Sequence, residues 1–502
     1  MAHSLLTTPA DRRLFYGNAA LGLGCLALAL ATDAWWLLGL PVLVWVATQA
    51  VLDFRPLFWV LLVCIPVSVD VYLPGGFGTD VPTEPIAVGL TGLFLLHVCR
   101  HWSAYERARF GHPIAWLLYV HVGWILVATL FSDGFLVSLK FSLAKLWYVG
   151  AYFLVPLLII RTPRQVRLLV HCILWPLLFV AVQTLVRHGA YGFSFAMQSK
   201  TMSPFMSEHV SYAGCLSVFT PWLFYLGWHL RARRKSRWWL LFIVAPLWLA
   251  AIYFSYTRAA FVALAMAGAA FYVIRWRLLK PVLALATAVL LGVVVYFVKD
   301  NKYLDYAPDF ETTISQERFD NLITATYKLE DISTMERFYR WVAAGHMVPY
   351  RPWTGFGPGN FVELYKGYTV NAFRTYVSDN PDKSGIHSYY LMTLVEQGFP
   401  GLLLFLVYLF GALLIGERLY HQQRDPHARN AIMAALLALL IVDAFNLIND
   451  QMETDKVGAQ YLLNLAIIIA MGVYRPGTDG ELTRPGTPVV PSVAPPSSPS
   501  GT

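Results

Sequence analysis

Long apolar runs recur along almost the whole chain, broken by short polar intervals and by one long one. They centre on 14–31, 34–52, 57–73, 85–99, 113–131, 142–160, 165–186, 209–229, 239–255, 259–275, 281–298, 388–416, 430–448 and 458–474. Most reach the roughly 17–25 residues that a helix needs to cross a bilayer. The pattern predicts an all-α polytopic membrane protein with about 12–14 transmembrane helices and one large loop domain. It divides the chain into a helix bundle at 1–298, a loop at 299–387, C-terminal transmembrane helices at 388–474 and a tail at 475–502. The tail is rich in Pro, Gly, Ser and Thr, which predicts disorder. Inside the loop a helical pattern at 315–347 is broken by Pro349, Pro352, Gly355, Gly357, Pro358 and Gly359.

Composition agrees with the pattern: 57% of the residues are hydrophobic and 14% charged, against about 45–50% and 25% in soluble domains. The net charge of +8 does not point to nucleic acid, because the bases fall in short clusters between the apolar runs. With the N-terminus in the cytoplasm, the clusters at Arg100–Arg109, Arg161–Arg167, Arg231–Arg237, Arg275–Lys280 and Arg418–Arg429 all lie inside. The opposite side then carries little more than Lys140, Arg187, Lys200, Arg258 and Lys456. That asymmetry follows the positive-inside rule and places both termini in the cytoplasm and the 299–387 loop outside. The five cysteines show no paired spacing, so neither a disulfide framework nor a zinc site is expected. Arg12 and Arg13 precede the first run, which continues into further runs without a small-residue cleavage site, as a first transmembrane helix does.

Against this apolar background a few polar residues stand out. Arg258, in YFSYTRAAFVALA, sits between two runs with almost no loop. It either snorkels to the interface or presents its planar fork to a phosphate. Arg337 and Arg340 lie three apart, on one face of a helix, where a solvated face paired with Glu336 is the plainer reading. Arg351 leads into TGFGPGNF, where Gly355, Gly357 and Gly359 form either an ordinary turn or a loop whose N–H groups cradle a phosphate. No GK[ST] follows it and no strand precedes it, so it is neither a Walker loop nor a dinucleotide fingerprint. His387, in SGIHSYY, marks the return of the loop to the membrane and is the candidate base for an attacking hydroxyl, if it is not merely structural. Tyr389 and Tyr390 suit an interfacial belt, while Glu396, Lys145 and Asp443 fall inside apolar runs and should pair or face a cavity. His97, His121 and His171 are read as satisfied interior histidines. No HExxH and no Cys/His cluster occurs, so no metal and no cofactor is expected in the chemistry.

The order of these motifs carries more than any one of them. Arg258, then Arg337 to Trp341, then Arg351 to Phe361, then His387 to Tyr390 and Glu396 to Gly401 resembles the O-antigen ligase and O-antigen polymerase family of bacterial envelope glycosyltransferases. TRAA stands here where many relatives have a Ser-Arg-Gly type turn, and the chain has more apparent spans than is usual in the family. The resemblance implies a GT-C-like, multi-pass protein of the bacterial inner membrane with its active site facing the periplasm. It implies a glycan donor linked to undecaprenyl pyrophosphate and an acceptor hydroxyl on a glycan, on lipid A-core or on a protein. It also implies metal-independent, inverting transfer, with membrane lipids as surroundings. His387 would be the catalytic residue and Arg258, Arg337 and Arg340 would bind the donor pyrophosphate, supported by Arg351, the three glycines, Tyr389 and Glu396. A transporter or lipid flippase is the reading from a different class; against it, no paired Gly/Pro-interrupted spans occur in matching halves.

Overall fold

The computed structural model describes residues 9–32, 37, 40–41, 44, 53–73, 77–100, 108–233, 239–306, 332–374, 378–380 and 384–476. Helices account for nearly all of it, as the pattern predicts: α1 (Pro9–Thr32), α2 (Arg55–Cys64), α3 (Thr83–Arg100), α4 (Pro113–Leu130), α5 (Phe135–Ile159), α6 (Pro163–Ala190) and α7 (His209–Arg233). There follow α8 (Trp239–Tyr253), α9 (Arg258–Arg275), α10 (Leu279–Val298), α11 (Ile332–Met347), α12 (Tyr389–Gln422), α13 (Pro426–Phe445) and α14 (Asp455–Val473). Eight of these are long and apolar enough to cross a membrane: α4, α5, α6, α9, α10, α12, α13 and α14. The expected run at 34–52 and the tail at 475–502 lie almost wholly outside the described residues, as does the first half of the helical pattern at 315–347.

One expected span is not a single helix. The run at 57–73 is helical only to Cys64, passes through a tight turn at Ile65–Val67, and ends as strand β1 (Val69–Leu73) paired antiparallel with β2 (Phe77–Val81). The reason is local. Pro66 removes a helix donor, and Val69, Val71 and Leu73 alternate with Asp70 and Tyr72 at the two-residue period of a strand. Hydropathy alone reads those apolar residues as more of the helix.

Polar contacts sort the connections into two ends. At one end Arg109 is buried and donates to the carbonyls of Leu157 (3.0 Å) and Ile160 (2.6 Å), while Gln423 donates to Met471 and Tyr474. This end collects the Arg-rich connections. At the other end lie the β-hairpin, the 131–134 turn, the 191–208 segment, the 254–258 turn, α11 with its following loop, and the 446–454 connection. The segregation of bases by end matches the charge asymmetry of the sequence. α13 and α14 form the centre of the bundle and are largely buried; α10 turns its apolar side chains outward along its length.

Candidate functional site

α11 is amphipathic, and its polar side chains grip the loop that follows. Arg340 is buried, donates to the carbonyl of Gly385 (3.2 Å) and to Asn380 Oδ1 (3.4 Å), and pairs with Glu336 one turn back (3.5 Å). Glu336 also accepts from the Ser378 hydroxyl (2.6 Å). One residue along, Trp341 Nε1 donates to the carbonyl of Ile386 (3.1 Å). Two consecutive carbonyls before His387 are thus fixed from one helix. His387 itself adopts a left-handed backbone conformation, φ 58°, a region that few non-glycine residues occupy. Such outliers persist where the surroundings over-determine them, and here the tethers come from α11 on one side and the start of α12 on the other.

Arg337 projects from the exposed side of the same helix, its Nε donating to the carbonyl of Ile448 (3.1 Å). It and Arg340 both act on His387. Burial first, and then these two guanidinium charges, push the imidazole pKa down to about 3. His387 is therefore neutral at physiological pH, with a ring nitrogen able to accept a proton.

The 446–454 connection closes the site from behind. Tyr389 donates its backbone N–H to the carbonyls of Asn446 (2.9 Å) and Asn449 (3.2 Å), and Arg337 reaches Ile448 as described. Asp450 packs so tightly on Gly385 that a side chain at 385 would collide with its carboxylate. Burial raises the Asp450 pKa, the neighbouring Glu453 adds to this, and Arg340 and Arg337 oppose it. Asp450 is the acidic counterpart of the arginine pair, and the sequence reading missed it. Its only signal was a short acidic connection, NDQMETD, between two apolar runs.

Arg258 is the first residue of α9. Its neighbour Thr257 donates its hydroxyl to the carbonyl of His209 (3.3 Å), and the ring of His209 in turn feels the charge of Arg337. Arg258, Arg337, Arg340 and His387 therefore stand on one end of the bundle, the last three as immediate neighbours and Arg258 linked through His209.

The remaining candidates form a separate joint. α12 is broken at Gly398 (φ 71°, ψ −174°), a conformation open essentially to glycine alone. The backbone of Pro352–Trp353 lies against this break, and Phe399 donates its N–H to the Pro352 carbonyl (2.8 Å). The glycine turn then docks on α12: Phe356 N–H donates to Val395 O (3.0 Å), Gly357 N–H to Glu396 O (2.9 Å) and Phe361 N–H to Glu396 Oε1 (3.1 Å). Gly359 N–H also reaches the Glu396 carboxylate, and Gly355 N–H is taken by Arg351 O (3.1 Å). These donors are already spent on protein acceptors, so the turn does not serve as a phosphate cradle. Arg351 is bound to Asp133 (2.7 Å), which ties the turn to the α4–α5 connection. Glu396 and the glycine turn are two halves of one joint, not ligands of an anion.

Beside Tyr389 lies a cavity of about 360 Å³, lined in part by His121, Lys140, Tyr148, Tyr389, Tyr408 and Glu453. Lys145 meets Glu453 there at 2.8 Å, the pairing or cavity-facing role expected of a lysine inside a span. His121 departs from expectation: its ring stacks on Tyr408, but Nδ1 has no hydrogen-bond partner among the described residues. The same holds for both carboxylate oxygens of Asp443.

The order of motifs is matched by comparison with known families. No curated protein matches the sequence closely. Residues 247–406 match the family described as O-antigen ligase. That matching stretch runs from α8 through Arg258, the α11 cap and His387 to the Gly398 break of a polytopic helical membrane protein.

Proposed function

We propose that the chain is a glycosyltransferase that moves a glycan from undecaprenyl pyrophosphate to an acceptor hydroxyl at the end of the bundle carrying His387. In this reading that end faces the periplasm of a bacterial inner membrane. The observation that carries the reading is a neutral imidazole held in a strained backbone conformation beside two arginines. Departure of a lipid pyrophosphate builds negative charge, and fixed guanidinium groups in a partly dry site stabilise it. Arg337, the more accessible of the pair, and Arg258 take the pyrophosphate. Arg340, enclosed and committed to Glu336, Asn380 and Gly385, holds the His387 loop in place. His387 orients the acceptor hydroxyl and removes its proton as the glycosidic carbon is attacked opposite the leaving group. The described site offers no nucleophile placed for a covalent intermediate, so a single displacement with inversion follows.

A low pKa makes His387 a weak base in the free protein, but the bound donor changes this. Two phosphates close to Arg337 offset the charge that depresses the imidazole, and its basicity rises when it is needed. The test is glycan transfer in membranes containing His387→Ala: near-complete loss supports the reading and full activity ends it. The acceptor is assigned in a deletion strain. Accumulated donor with no long glycan on lipid marks a ligase, short single-unit glycan marks a polymerase, and loss from protein alone marks a protein O-oligosaccharyltransferase.

A further inference from the structure

At the same end of the bundle, away from His387, three carboxylates converge. Asp70 and Asp80 are direct partners across the β1–β2 pair, so their side chains leave the same face of the hairpin. Asp455, the first residue of α14, comes to meet them. One carboxylate oxygen from each lies within 4.8 Å of the others. Like charges placed directly opposite across a ladder destabilise it, and here a third is added from another element.

The protein does little to relieve this. Asp80 is 2% exposed. Its Oδ2 accepts from Ser68 (2.8 Å) and Thr83 (3.0 Å), while Oδ1 is buried with no hydrogen-bond partner among the described residues. Lys456 is the cation whose charge reaches Asp80, but its ammonium donates to the carbonyls of Ser68 and Phe205. Glu84 adds a fourth negative charge near Asp455, and its own carboxylate is taken by Thr79 and the Asp80 N–H. Tyr148 hydrogen-bonds to Asp455. The balance is four carboxylates against one lysine, around a buried oxygen with a free lone pair.

We propose that Asp70, Asp80 and Asp455 bind one divalent cation of the calcium class, which pins the β-hairpin to the start of α14. The spacing suits that ion. Calcium takes oxygen ligands at about 2.3–2.6 Å, so two ligands of one ion stand up to about 5 Å apart. Magnesium, at about 2.0–2.1 Å, demands near-ideal octahedral geometry and usually keeps several waters, so a cluster of three protein carboxylates suits it less well. The site is structural and takes no part in the transfer step. It does sit at the far end of the 446–454 connection whose other end holds Asp450, Ile448 and Asn446 behind His387.

The probe is terbium ion added to the full-length protein in detergent, with excitation of tyrosine, because Tyr148 touches Asp455. Tyrosine-sensitised emission is expected, displaced by calcium and lost in Asp455→Asn and in the surface variant Asp70→Asn. In parallel, calcium in place of chelator should raise the unfolding temperature by about 2 °C or more, and neither variant should show the shift. No sensitised emission, emission that survives both substitutions, or an unfolding temperature indifferent to calcium overturns the proposal.

Discussion

The Arg340 guanidinium donates to the carbonyl of Gly385 at 3.2 Å, two residues before His387. A buried arginine, held in turn by Glu336, thereby fixes the approach of the chain to the candidate base. This makes Arg340 a positioning residue and separates it from Arg337, which projects from the more exposed side of the same helix. Arg340→Gln should lower turnover while leaving the donor KM nearly unchanged, and should speed hydrogen exchange across 384–389. An unchanged exchange pattern would show that the loop is held by other means.

Arg337→Lys keeps the charge and loses the fork. Donor KM should rise by about 10- to 150-fold, the equivalent of one hydrogen bond to a charged group at about 1.5–3 kcal/mol. Steady-state kinetics with a short-chain lipid pyrophosphate donor measures it, and a KM within twofold of the parent would remove Arg337 from the donor site.

His387→Ala should reduce turnover by about 10²–10⁴-fold, the usual contribution of general acid–base catalysis. The pH dependence has a defined sign. In the free protein the imidazole protonates only near pH 3, so kcat/KM should show no acid limb from His387 between pH 5 and 8. Donor binding raises the pKa, so the acid limb of kcat should lie at higher pH than that of kcat/KM. The same depression bears on stability. The unfolded chain takes up this proton at about 6.5, so this contribution to stability is complete above that pH and is lost as pH falls towards 3.

Gly398→Ala should destabilise the fold by at least about 1–3 kcal/mol, from its backbone conformation alone, with a further collision against the Trp353 carbonyl. Thermal unfolding in detergent reports it, and a variant as stable as the parent would mean that the break in α12 relaxes without loss.

Much of the fold was legible because hydropathy over about twenty residues is a strong signal, and because arginines at one end of the bundle carry topology with them. The β-hairpin was not legible: Val69, Val71 and Leu73 are as apolar as a helix end, and only their pairing with 77–81 declares them a strand. At the site, the order of Arg337, Arg340 and His387 along the chain was enough to bring them together. The role of Glu396 was hidden, since a carboxylate whose partners are the N–H groups of a turn about thirty-five residues earlier leaves no local pattern. Asp450 was hidden for a similar reason: what marks it is its seat on Gly385, sixty-odd residues upstream.

The joint at Gly398 limits how substrate can enter. A swinging lid would have to pull Phe356, Gly357 and Phe361 off the carbonyls and carboxylate of α12 and draw Pro352 out of the bend, while Arg351 released Asp133. The 351–361 segment therefore travels with the helices as a fixed wall. Room for the proposed donor and acceptor has to come from lateral passage between helices, or from movement of α11.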